Sequence, residues 1–124
     1  MLVYTPDQLV RAFNGKFTIY TSSSGTVIKR IGPVKAGRLW DLYTIAVYNN
    51  TGANIDFWLG LERLADFHRV WSQSAFGDGK ANYVRNPFYM TEGDYLRIDV
   101  DSSVDNGIVE ISVCGFEIQL PDKR

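Results

Sequence analysis

The run Tyr95-Leu96-Arg97-Ile98-Asp99-Val100-Asp101, the turn Asp105-Asn106-Gly107 and the run Val109-Glu110-Ile111-Ser112-Val113 decide the fold class. Leu96, Ile98 and Val100 form an apolar phase, while Tyr95, Arg97, Asp99 and Asp101 form a polar one. Side chains alternate across a strand, so this is the pattern of a strand with one face buried. Val109, Ile111 and Val113 repeat it after Asn-Gly, a strong hairpin turn signal. The apolar phase then shifts by one residue, to Phe116, Ile118 and Leu120. Gly115 sits at the shift, which predicts a β-bulge or bend at Cys114-Gly115.

Upstream the same period recurs. Strand character is predicted for Lys16 to Ser22, Thr26 to Ile31, Arg38 to Asn49 and Asn54 to Glu62. The Arg38–Asn49 run is apolar on both phases, as in a central strand. Turns are expected at Ser22-Ser23-Ser24-Gly25, Asn49-Asn50-Thr51-Gly52, Gly77-Asp78-Gly79 and Glu92-Gly93-Asp94. Leu61 to Trp71 also fits a helical spacing, but the β-rich surroundings favour a hairpin turning at Leu64-Ala65-Asp66 and returning through Phe67 to Ser72. Asn82 to Met90 contains Pro87 and reads as an edge strand or a broken one. About eight strands with regular turns predict an all-β, two-sheet antiparallel sandwich, with a jelly roll as first choice.

One helix is expected, at the start. Thr5-Pro6-Asp7-Gln8 has the form of a capping box with proline at the first helical position; Leu9, Val10 and Phe13 supply a stripe and Gly15 a stop. The domain reading is one unit over residues 1–124: a helical segment 1–15, a sandwich 16–120 and a tail 121–124.

Composition narrows the function classes. The chain has 124 residues, enough for a core without staples, and its one cysteine excludes an intrachain disulfide. Thirteen Lys+Arg against 14 Asp+Glu is not the balance of a general nucleic-acid binder. No apolar run is long enough to span a bilayer, and Met1 to Asp7 lack a signal-peptide pattern. The expectation is a chain made in the cytoplasm and not secreted, with neither nucleic acid nor membrane as partner.

Charge is segregated. Arg11, Lys16, Lys29, Arg30, Lys35 and Arg38 occupy a stretch with no acid, while Asp94, Asp99, Asp101, Asp105, Glu110 and Glu117 share theirs with Arg97 alone. Lys29, Arg30, Lys35 and Arg38 are therefore interface candidates: one copy's basic segment would meet another's acidic segment in a homo-oligomer, a trimer being the form considered. The plainer reading has the two segments neutralise each other within one molecule.

Chemistry-bearing motifs are sparse. His68 and Cys114 are each unique; a strand cysteine is usually an inert apolar residue, and a lone histidine builds no typical zinc site. Gly77-Asp78-Gly79-Lys80 lacks Walker spacing. Asp99, Asp101 and Asp105 form a weak calcium candidate, but the spacing is not that of an EF-hand and a polar hairpin explains them. No catalytic residue, cofactor or metal is expected. Among seven Phe, seven Tyr and three Trp, Trp58 stands out because it lies on the polar phase, between Asp56 and Gly60. It is a candidate interface anchor or sugar-stacking platform, or else it is covered on that face as well.

Pro33-Val34-Lys35-Ala36-Gly37-Arg38-Leu39-Trp40-Asp41-Leu42, followed by a long strand and Asn-Asn-Thr-Gly, resembles the opening of jelly-roll accessory proteins of tailed-bacteriophage virions. Glu92-Gly93-Asp94 and the closing Val109-to-Glu117 strand are similar to later motifs of that group, so the resemblance covers about residues 30–120. It implies a non-enzymatic virion subunit acting through contacts with capsid, neck or tail proteins, capsid decoration foremost, and it brings no catalytic residues. A carbohydrate-binding sandwich using exposed aromatics such as Trp58 and Trp71 is the alternative. A bacterial or mobile-element interaction domain would share everything except the virion.

Overall fold

The computed structural model describes residues 6–85 and 88–121. Nine strands follow one 3-10 turn at Pro6–Gln8: β1 (Leu9–Tyr20), β2 (Val27–Ile31), β3 (Arg38–Asn50), β4 (Ile55–Arg63), β5 (Asp66–Phe76), β6 (Ala81–Val84), β7 (Phe88–Met90), β8 (Tyr95–Ser102) and β9 (Ile108–Gln119). They form two antiparallel sheets. The five-stranded sheet runs β1-β9-β3-β6, with β7 also on β3, and the four-stranded sheet runs β2-β8-β4-β5. Consecutive strands alternate between the sheets wherever the connection is not the β4–β5 hairpin or the β6–β7 pair. This is the order of a jelly roll, with one of its eight positions filled by the short pair β6 and β7. Pro87, expected to break that strand, lies outside the described residues.

The core is what the period-two runs predict. Leu42, Ile45, Val47, Val109, Ile111 and Val113 line the inner face of one sheet; Ile55, Phe57, Leu59, Leu96, Ile98 and Val100 line the other, all buried. The Phe57 and Phe76 rings meet edge-on with centroids 5.3 Å apart, a geometry favoured by the ring quadrupole. Both ends of the sandwich are tied by polar contacts. At one, the buried Asn49 amide donates to the carbonyls of Ala53 and Phe76 and its oxygen accepts from Thr51 N–H and Oγ1. At the other, Val34 N–H donates to the Asp94 carbonyl, and Gly93 N–H donates back to that of Val34.

Two expectations change, and the ambiguous hairpin is found as expected. The helix over residues 5–15 is absent beyond the turn at Pro6–Gln8. Residues 9–15 are strand, paired with β9 from Leu9↔Ile118 to Gly15↔Val113. A two-turn helix is marginal by itself, and a full ladder of bonds to β9 outweighs it. Thr5, the expected N-cap, lies outside the described residues. The bulge expected at Cys114-Gly115 belongs to the partner strand: the register slips between Leu42 and Thr44, so Tyr43 is the extra residue. A Cβ on Gly115 would sit 2.2 Å from the Asp41 carbonyl oxygen, so the strands approach where only glycine fits. Beyond it, Ile118 is buried as expected, but so is Glu117, while Leu120 is exposed. The ambiguous Leu61–Trp71 segment is the β4–β5 hairpin, with Leu64 and Ala65 at its tip in left-handed backbone.

Candidate functional site

The outer face of the four-stranded sheet is a lattice of guanidinium groups, carboxylates and aromatic rings. Antiparallel register puts Arg30, Arg97, Gly60 and Arg69 in one row across β2, β8, β4 and β5. Gly60 is obligatory there, because a Cβ would lie 2.0 Å from the His68 carbonyl oxygen. Glu62, nearly buried, accepts from Arg30 Nε at 2.8 Å and from Arg97 Nη1 at 2.8 Å. Arg97 also grips Asp99 with Nε and Nη2 at 2.8 and 3.0 Å. The hydrogen bond from Arg30 is the main cause that holds the Glu62 carboxyl below the usual range; burial opposes it and Arg97 reinforces it. Above this layer runs a stack. Arg97 lies over Phe67 at 4.3 Å, and Arg69 lies near both Trp58, at 5.3 Å, and Phe67, at 5.7 Å. These are cation–π distances.

A second buried carboxylate belongs to the inner side. Glu117 Oε2 accepts the Trp40 indole N–H at 2.8 Å, and Oε1 accepts from Arg11 Nε at 3.2 Å, with Arg38 Nη1 at 3.7 Å. Burial pushes this carboxyl up, but the Trp40 and Arg11 hydrogen bonds and the charges of Arg11 and Arg38 outweigh it and hold it low. Beside Trp40, between the edge strands β1 and β2, opens a cleft of about 480 Å³ walled by Phe13, Phe17, Ile31, Pro33 and Trp40.

The outer face of the five-stranded sheet has a different character. Tyr20, Tyr43, Tyr48, Tyr83 and Tyr89 are exposed on it, Tyr20 and Tyr83 by 61% and 57%. Register sets Tyr48 beside Glu110 and Ala81, Tyr83 beside Ala46, and Tyr20 beside Ile108. Between the rings stand small neutral residues: Asn14, Thr18, Thr44, Ala46, Ser112 and Cys114. Lys16, Asp41 and Glu110 are the charged side chains on the face, with Arg85 lying over the Tyr83 ring at 5.5 Å. Tyrosine is an amphipathic contact residue with few rotamers to freeze, and it is enriched at interfaces.

The residues singled out from sequence fall in different places. Trp58 is on the outer face as expected, but half-buried under Arg69. Trp71 is exposed on the edge strand β5. Arg30 is in the Glu62 network and Arg38 is near Glu117; Lys35 is exposed in the β2–β3 loop, and Lys29 is half-buried on β2. Basic and acidic segments thus meet within one chain at Arg11 and Arg38 with Glu117. The carboxylates of the calcium candidate are each engaged separately: Asp99 by Arg97, Asp101 by Thr26, Asp105 by Ser23 N–H and Oγ. Among the described residues no three His, Cys, Asp or Glu side chains are grouped to hold a metal ion. His68 and Cys114 lie on different sheets. The tyrosine face was not read from sequence, although Tyr20 and Tyr48 sit on the phase opposite Ile19 and Val47 and so signal it.

No protein-family model matches the chain, and no curated protein does. Among solved structures it is similar to dimeric latent PorU from Porphyromonas gingivalis, at 12% identity and a TM-score of 0.40, over 93% of this chain and 14% of that one.

Proposed function

We propose that the chain is a non-enzymatic contact domain, a structural subunit of a larger assembly, whose working surface is the tyrosine-bearing face of the five-stranded sheet. The observation that carries this is the set of exposed rings Tyr20, Tyr48, Tyr83 and Tyr89 on one sheet face, among small neutral side chains. The ionisable groups elsewhere support the same reading. Glu62, Asp99, Asp94 and Glu117 are each engaged in ion pairs that organise the sandwich. The narrower form, an accessory subunit decorating a bacteriophage capsid, rests on the resemblance of residues 30–120 to such jelly-roll proteins; other virion proteins and further copies of the chain would then be its partners. A second reading, carbohydrate binding, is favoured by one feature of the same face. Exposed rings flanked by neutral hydrogen-bonding groups suit stacking against a sugar.

Co-sedimentation of the labelled chain with tailed-phage capsids and with insoluble polysaccharides tests both. The double variant Tyr48→Ser, Tyr83→Ser should melt like the parent and lose binding. Retention by capsids alone supports the structural reading, and retention by polysaccharide alone supports the sugar reading. Full binding by the folded double variant would remove this face from either.

A further inference from the structure

We propose that Asp41, set among the rings of Tyr43, Tyr89 and Phe116 on the outer face of the five-stranded sheet, receives an arginine side chain from a partner protein. This rests on the reading of that face as the contact surface, and it names the group that anchors the partner there.

Register builds the site. Asp41 lies opposite Phe116 on β9 and opposite Tyr89 on β7, so a ring flanks the carboxylate on either side. Directly opposite residues have Cβ atoms about 4.5–5.5 Å apart. Tyr43 comes from the strand of Asp41 itself. It is the extra residue of the bulge, and its ring meets that of Phe116 with centroids 5.8 Å apart. Re-aiming a side chain is what a bulge does. Tyr43 and Tyr89 are 48% and 40% exposed, so the site opens to solvent.

The Asp41 carboxylate is half-buried, and no hydrogen bond or ion pair reaches it from a described residue. Burial pushes it above the ordinary carboxylate range, and the one charge opposing burial is that of the chain's N-terminal amine. A desolvated charge without a partner is costly. Elsewhere the chain supplies the partner. Among the described residues the buried acids are Asp94, Asp99, Glu62 and Glu117, and each holds an arginine. Two of those arginines also lie over a ring. Arg97, which grips Asp99, is 4.3 Å from Phe67, and Arg11, which pairs with Glu117, is 4.8 Å from Phe13. Carboxylate, ring and guanidinium recur as a set, because the planar fork pairs with the first and stacks on the second. Asp41 has the carboxylate and the rings and lacks the guanidinium. The cations on its own face are placed elsewhere: Lys16 stands opposite Ser112, and Arg85 lies over Tyr83.

Titration of the isotope-labelled chain with acetyl-arginine-amide, followed by NMR, tests this, with the citrulline analogue as the neutral control. Arginine should give saturable shifts centred on Asp41, Tyr89 and Phe116, many-fold larger than those from citrulline. Asp41→Asn should melt at or above the parent temperature, because it removes an unpaired charge, and should bind arginine several-fold more weakly. Equal shifts from citrulline, shifts centred elsewhere, or an Asp41→Asn chain that binds like the parent would overturn the proposal. So would an Asp41→Asn chain that melts well below the parent. Binding that appears only after acetylation of the N-terminal amine would make that amine the occupant and overturn it as well. Arginine binding by a chain that neither capsids nor polysaccharides retain would remove those readings of the face and keep this site. Retention without arginine binding would remove this site alone.

Discussion

The indole N–H of Trp40 donates to Glu117 Oε2 at 2.8 Å inside the edge of the sandwich, joining β3 to β9 beneath the ring of Phe13. Both partners are buried, at 5% and 6% exposure. Glu117→Leu should therefore cost about 1–3 kcal/mol, the usual penalty for leaving a buried donor unmet. Glu117→Gln keeps an acceptor for the indole and should cost less. The Arg11 partner is half exposed and contributes little to either figure. Urea denaturation of the two variants checks the order, and a Leu variant as stable as the parent would refute it.

Acid should loosen the fold through three carboxylates. Hydrogen bonds from Arg30 to Glu62 and from Arg63 to Asp94 hold both below their ordinary values, and Glu117 is held low against burial. A group depressed in the folded state adds stability that is complete above its unfolded value, roughly 3.9 for Asp and 4.3 for Glu, and is lost as pH falls through the folded value. The melting temperature should be flat from neutral pH to about pH 5 and fall below about pH 4. Glu62→Gln should flatten that fall. A profile level down to pH 2 would show that these pairs do not support the fold.

Gly60→Ala should destabilise strongly, toward or beyond the upper end of the roughly 1–3 kcal/mol of overpacking, because the new methyl meets backbone at 2.0 Å. Gly25→Ala meets nothing within 4 Å and should change stability by less than about 0.5 kcal/mol. Thermal melting of the pair separates a packing constraint from a generic loss of glycine freedom.

The strands were legible because Leu96, Ile98 and Val100, or Ile55, Phe57 and Leu59, each state their face within one run. The jelly roll followed from their number and spacing. The exceptions share a cause: each depends on a partner distant in sequence. Leu9–Gly15 reads as a helix in isolation and becomes a strand because β9 offers it a ladder. The apolar phase change around Gly115 suggests a bulge in β9, but Val109, Ile111, Val113, Gly115 and Glu117 keep one buried alternation there, and the extra residue is Tyr43 on β3. Glu117 looks like an outward residue until Arg11, Arg38 and Trp40 are brought to it from two other strands. The tyrosine face is likewise spread over β1, β3, β6 and β7, and no single run displays it.

Trp58 gives the sharpest test of the opposite face. Its alternation with Phe57 and Leu59 sends the indole outward, and there Arg69 lies over it at 5.3 Å while Phe67 continues the stack toward Arg97. The ring is thus neither a bare anchor nor a core residue. Trp58→Ala should cost about 1–3 kcal/mol, less than the roughly 3–5 of a fully buried aromatic. Arg69→Ala should cost about 0.5–1 kcal/mol, the scale of an exposed cation–π pair. The double variant should cost less than the sum of the two, since each single change already removes the shared contact. Urea denaturation of the four proteins measures that coupling. Strict additivity, with Trp58→Ala as stable as the parent, would mean that the indole stands free of the stack and is open to a partner.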